Sequence, residues 1–216
     1  MKRFPSLLFI TALAGGLASA QTTSDTHTGA PAQFWQASVT AETNKDYDTA
    51  LSQVTTYQTS GGNAFLAHLR AAWLYYLKQD YKNATAQYLQ AEQLQPSAIN
   101  PLLGLLSVSV AEGDGNSIDK AVQNVLRLDP MNYRAQMAAA YRQYLAKNYA
   151  VALASYRRVL AAYPDDMTAL SGEAWSLYYL GQADKAASDF QTLLGINSSD
   201  SWSQKGLALC QQQKAY

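Results

Sequence analysis

Small and apolar residues recur along this chain at one interval. Ala50, Ala84, Ile118, Ala152 and Ala186 stand 34 residues apart, and so do Val54, Tyr88, Val122, Tyr156 and Phe190. A third series runs Tyr47, Tyr81, Gly115, Tyr149 and Ala183, and Pro96, Pro130 and Pro164 keep the same spacing. Members of the second series follow the first by four positions, which places both on one face of a helix. Alanine there lets two helix backbones approach closely, where a larger side chain would hold them apart. Proline ends the preceding helix, because the residue before it disfavours the α conformation. A unit this short cannot bury its apolar face alone, so successive units must stack. The pattern predicts an all-α chain of stacked units over 31–64, 65–98, 99–132, 133–166 and 167–200.

The segment 148–164, NYAVALASYRRVLAAYP, carries Ala152, Tyr156 and Pro164. It recurs as DYKNATAQYLQAEQLQP over 80–96, and more weakly as GQADKAASDFQTLLGIN over 181–197. These motifs resemble the tetratricopeptide repeat (TPR) family, and the resemblance covers about residues 31–200. It implies two antiparallel helices per unit and a right-handed superhelical solenoid of about five helix-turn-helix units. Residues 201–216, SWSQKGLALCQQQKAY, read as one further helix that caps the last pair, apolar at Trp202, Leu207 and Leu209.

The third unit departs from the pattern. It has GDGNSI at 113–118, with two glycines in place of a tyrosine-bearing turn and Ile118 in place of alanine. Local irregularity and wider helix spacing are expected there. The first unit has Gly61-Gly62 where others have an exit proline, and Ser198 replaces proline in the fifth.

Ahead of the repeats, Lys2 and Arg3 precede an apolar run from Leu7 to Leu17 and the small residues Ala18, Ser19 and Ala20. That is the layout of a cleavable secretory signal over 1–20, too short to span a bilayer comfortably. Residues 21–30 are small and polar and read as a flexible leader. The expected location is the periplasm or the exterior of the cell, with the cut after Ala20.

Charge and composition narrow the function. Sixteen Lys+Arg balance sixteen Asp+Glu, which argues against electrostatic capture of nucleic acid or an anionic membrane. One cysteine excludes an internal disulfide framework and a multi-cysteine zinc site. That residue, Cys210, reads as a small core residue or as a link between two chains of a homodimer. Two histidines leave little for a metal site or a triad; His27 lies in the leader, and His68 reads as a partly buried side chain satisfied by a neighbour. Glu112, Asp114, Asn116 and Asp119 form an oxygen-rich cluster without an EF-hand pattern, better read as a turn with a helix cap. Asp165-Asp166, after Pro164, reads as capping. No nucleophile elbow, zinc helix or phosphate loop is present. The chain is therefore expected to be non-catalytic, with no cofactor and no metal.

The family resemblance also implies a groove, since the first helix of each unit lines the concave face. The positions carried over are Trp35, Leu69, Trp73, Tyr76, Leu103, Met137, Tyr141, Tyr144, Trp175, Tyr178 and Tyr179, with Asn100 and Arg134 as polar ends. Trp and Tyr combine large area with a hydrogen-bonding tip and are frequent anchors of binding surfaces. About half are expected to pack between units instead. Where some family members place a Lys to grip a C-terminal carboxylate, this chain has Trp35, Leu69, Leu103, Met137 and Ser171, and none is basic. The expected partner is an extended apolar or aromatic segment of another envelope protein. The alternative is an accessory of envelope polysaccharide or peptidoglycan machinery that binds glycan or its enzymes.

Overall fold

A computed structural model describes residues 30–213. The signal and leader expected over 1–29, and the last three residues of the capping helix, lie outside the described residues. The described chain is helical throughout, with eleven helices and no strand among the described residues. It divides into two compact units, ending and beginning at Gly62 and Asn63.

The first unit is one helix pair, α1 (Ala30–Thr43) and α2 (Tyr47–Thr59), packed on each other. Ala50 is fully buried and Val54 nearly so. Trp35 lies against Tyr57, with ring centroids 5.2 Å apart. The Asp46 carboxylate caps α2 by accepting from the Thr49 N–H at 3.1 Å.

Among the described residues the second unit contains nine helices. They are α3 (Ala64–Leu77), α4 (Tyr81–Leu94), α5 (Ile99–Glu112), α6 (Gly115–Leu128), α7 (Tyr133–Leu145), α8 (Tyr149–Ala162), α9 (Met167–Tyr179), α10 (Ala183–Ile196) and α11 (Ser201–Gln213). Each packs on the next in chain order. Short polar side chains start them: Asn63, Asp80, Asp114, Asn132 and Asp166 each accept a first-turn backbone N–H. Asp114, from the oxygen-rich cluster, spends its carboxylate on α6, where it also accepts from the Ser117 hydroxyl. Its neighbour Asp119 pairs with Arg142 at 3.0 Å.

What joins one pair to the next is a ring set against a missing side chain. Tyr88 on α4 covers Gly104 on α5, Tyr156 on α8 covers Gly172 on α9, and Phe190 on α10 covers Gly206 on α11. A Cβ at any of these glycines would collide with the ring. In the remaining junction both partners change size together: Val122 on α6 and Ala138 on α7 share one core cluster. The small residues 104, 138, 172 and 206 thus form another series at the repeat interval, sixteen residues after the aromatic one. This also sets the buried stripe of α11, which centres on Ser203, Gly206 and Cys210, while the expected Trp202, Leu207 and Leu209 are only half-buried. Cys210 is completely enclosed.

The turn inside each pair uses one conformation. Lys45, Gln79, Gly113, Lys147 and Gly181 all have left-handed φ, between 59° and 75°. Gly113 therefore does not disturb the third pair. It supplies the residue best suited to a conformation that lysine and glutamine adopt elsewhere under strain. Ile118 does sit at the helix crossing, 9% exposed.

Candidate functional site on the first helices of the second unit

First helices of neighbouring pairs also touch: α3 meets α5, α7 meets α9, and α9 meets α11. Successive second helices make no comparably close approach among the described residues. The stack of the second unit therefore turns toward its first helices, which line the inner side, and their side chains define the candidate site.

The residues expected there sort by burial. Leu69, Met137 and Trp175 are 5%, 1% and 3% exposed and form the floor. Trp73 is also buried, stacked on Tyr76 with centroids 5.6 Å apart and planes 18° off parallel. Tyr76, Leu103, Tyr141, Tyr144 and Tyr178 are half-buried, and Tyr179 is 48% exposed. Asn100 is exposed. Trp35 belongs to the first unit and is half-buried there. The surface thus consists of tyrosines, with the tryptophans beneath them. Of the expected groove residues, Leu69, Trp73, Met137 and Trp175 are thus buried in the free chain. Later helices cover Trp175, which lies against Phe190 of α10 and Trp202 of α11.

Between α7 and α9 the rings are continuous. Tyr141 stacks on Tyr144, Tyr144 meets Tyr149 and Tyr179 edge-on, and Tyr149 stacks on Tyr179 at 4.6 Å. Tyr178 and Tyr179 both contact Trp175. Such offset and edge-on pairs each add about 0.5–1.5 kcal/mol beyond area burial and hold the rings in place. Burial pushes the phenols of Tyr76, Tyr141 and Tyr144 above their ordinary range, with Tyr179 adding to the effect at Tyr144. They are neutral hydroxyls at physiological pH, able to donate and to accept.

Arg134 on α7 is the charged member. Its Nη2 donates to Ser107 Oγ on α5 at 2.5 Å, and Ser107 in turn donates to the Leu103 carbonyl at 2.9 Å. Burial holds the guanidinium below its usual range, while the phenols of Tyr76 and Tyr88 act in the opposite direction. His68, on α3, has its Nδ1 2.7 Å from Gln87 Oε1, so a neighbour satisfies it.

A second polar group lies between α8, α9 and α10. Arg157 pairs with Glu173 at 2.7 Å. Nearby Asp189 has a buried carboxylate oxygen without a hydrogen-bond partner. Burial, and then the charge of Glu173, raise its carboxyl to about 6, against a smaller opposing pull from Arg157. The sequence reading passed over this group, since a lone Asp inside a polar stretch of α10 carries no motif. Among the described residues no cluster of His, Cys, Asp or Glu could hold a metal ion. No described helix is long and apolar enough to cross a membrane.

Comparison with known proteins agrees with this architecture. A tetratricopeptide repeat family model matches residues 113–167. The chain is similar in structure to a tetratricopeptide repeat protein from Parabacteroides merdae, with TM-score 0.73 and 15% identity over 86% of this chain and 73% of that one. It is also similar to YrrB, described as a TPR protein with an unusual peptide-binding site, with TM-score 0.64 and 15% identity over 80% and 89% of the two chains. A thermophilic TPR protein from Thermus thermophilus, TTC0263, superposes with TM-score 0.55 and 16% identity over 85% and 100%. A search among curated proteins returns no match. With its repeat interval, its consecutive helix packing and a tetratricopeptide repeat model matching residues 113–167, this chain has the fold of tetratricopeptide repeat proteins.

Proposed function

We propose that the chain is an exported, non-catalytic scaffold that binds an extended segment of another envelope protein along the first helices of its second unit. The observation that carries this reading is the tyrosine surface from Tyr141 to Tyr179, held rigid by ring-to-ring packing over a buried tryptophan floor. Pre-ordered rings lose little entropy on binding and offer both apolar area and hydroxyl tips. The peptide-binding site named for YrrB supports the choice of a peptide as ligand. Export rests on the layout of residues 1–20; N-terminal sequencing of the chain recovered from an envelope fraction is expected to begin at Gln21.

The test is a pull-down from envelope extract with the chain and with a Tyr141→Ala, Tyr178→Ala, Tyr179→Ala variant, helicity being checked by circular dichroism. A partner retained by the first and lost by the folded variant supports the reading. Equal retention would move the site to another surface. Retention of glycan fragments alone would replace the protein partner with a sugar ligand.

A further inference from the structure

We infer that Asp189, Glu173 and Arg157 form a proton-operated latch between the fourth and fifth helix pairs, closed while Asp189 is protonated and loosened when it is charged. Acidity then sets how firmly α10 and α11 are held. The inference goes beyond the scaffold role and does not depend on which ligand the inner face takes.

Three helices converge on this point: Arg157 comes from α8, Glu173 from α9 and Asp189 from α10. Arg157 Nε donates to Glu173 Oε1 at 2.7 Å, so the cation of the group is committed to Glu173. Asp189 Oδ2 is buried and accepts no hydrogen bond. A charged carboxylate in that setting loses its hydration without replacement and meets a second negative charge. The surrounding helices bring nothing to relieve it. Glu173 is the one charged residue of α9, and Lys205, the one charged residue of α11, lies over the Trp202 ring at 5.7 Å. Arg158 of α8 is exposed. On α10 itself Asp184 is exposed, and exposed Lys185 donates to Gln182 at 3.0 Å.

A proton resolves the conflict. It cancels the second negative charge and turns the unpaired acceptor into a donor. Burial first, and then Glu173, raise the Asp189 carboxyl from 3.8 to about 6, in keeping with that geometry. The closed junction is therefore at full strength below pH 3.8 and weakens as pH rises to about 6. The next residue along the chain, Phe190, transmits the change. Its ring fills the socket at Gly206 of α11 and meets Trp175 of α9 at 5.1 Å. α11 in turn packs on α10 and α9. Withdrawal of α10 from α9 at Asp189 thus loosens the ring that holds α11 and uncovers one side of the groove floor.

Hydrogen exchange of the full chain at pH 4 and 7.5, read by mass spectrometry and corrected for the intrinsic effect of pH, tests the latch. Protection in α10 and α11 is expected to fall by about tenfold or more between the two, while α3 to α6 keep theirs. That factor is the one for a carboxyl titrating near 6 when closed and near 3.8 when open, discounted for partial exposure. Asp189→Asn should keep the low-pH protection at both values. Glu173→Gln releases Arg157 to Asp189 and should at least halve the fall on a logarithmic scale. Circular dichroism checks that both variants are folded, and the unmodified chain with Glu173→Gln decides the matter if Asp189→Asn is not. A fall that survives in Asp189→Asn, one undiminished in Glu173→Gln, one spread evenly over all helices, or none in the unmodified chain would overturn the inference.

Discussion

The contact between Tyr156 and Gly172 makes a demanding test of how the repeats are joined. A Cβ at Gly172 would lie 2.5 and 2.6 Å from Tyr156 Cε1 and Cε2, well inside contact distance. Tyr156 is 3% exposed and packed in a closed cluster, so its ring has little room to withdraw. Overpacking of this kind costs about 1–3 kcal/mol, offset by up to about 1 kcal/mol from better helix propensity. Gly172→Ala alone is therefore expected to destabilise the chain by about 1–2 kcal/mol. Tyr156→Val alone should cost about 2–4 kcal/mol, through lost contacts and a cavity. In the Tyr156→Val background the clash is gone, and Gly172→Ala should become neutral or stabilising by up to about 1 kcal/mol. The double variant recreates the Val122–Ala138 junction that the chain already contains. Urea unfolding followed by circular dichroism yields the four stabilities of the cycle. Additive effects, or the same sign for Gly172→Ala in both backgrounds, would refute the ring-in-socket account.

Further outcomes are expected elsewhere. The carboxyl of Asp189 is raised to about 6 from 3.8, so its charged form is disfavoured in the folded chain, and stability present below the unfolded value is lost as pH rises through 6. Asp189→Asn should thus raise stability by about 1–2 kcal/mol at pH 7.5, discounted for partial exposure, and the gain should vanish near pH 4. Thermal melts across that range check it, and a gain equal at both ends would contradict the burial of this group. At the shared turn, Lys147→Gly should stabilise and Gly113→Ala destabilise, each by about 1 kcal/mol. Equal and opposite shifts in the urea midpoint confirm a common left-handed residue; two losses would show that the lysine side chain matters more than its φ.

The repeat and its junctions were legible because size complementarity leaves a periodic trace. Ala84, Ala152 and Ala186 are completely buried where the spacing put helix crossings. The glycine series was equally visible, sixteen residues behind the aromatics, and explains why Tyr88, Tyr156 and Phe190 tolerate no larger neighbour. The turn was misread because lysine and glutamine at 45, 79 and 147 conceal a left-handed φ that only glycine announces. Exposure along the inner face was not legible from register. Trp175 and Tyr178 sit one helical turn apart, yet Trp175 is covered by rings from two later helices while Tyr178 keeps an open edge. Burial there depends on residues 15 and 27 positions further on, which a local pattern cannot report. Arg134 was visible as a polar end; its placement among Ser107, Tyr76 and Tyr88 emerges only from the packing of α3, α4, α5 and α7.

The claim that the tyrosine face of the first helices is the binding surface can be tested in place. A photo-crosslinking amino acid is installed at Tyr141 on the inner face, and separately at exposed Arg158 on the second helix α8, and the chain is irradiated in envelope extract. The account predicts an adduct from position 141 to one contiguous segment of a partner protein, with none to that segment from position 158. Adducts from position 158 alone, or the same adducts from both positions, would contradict it.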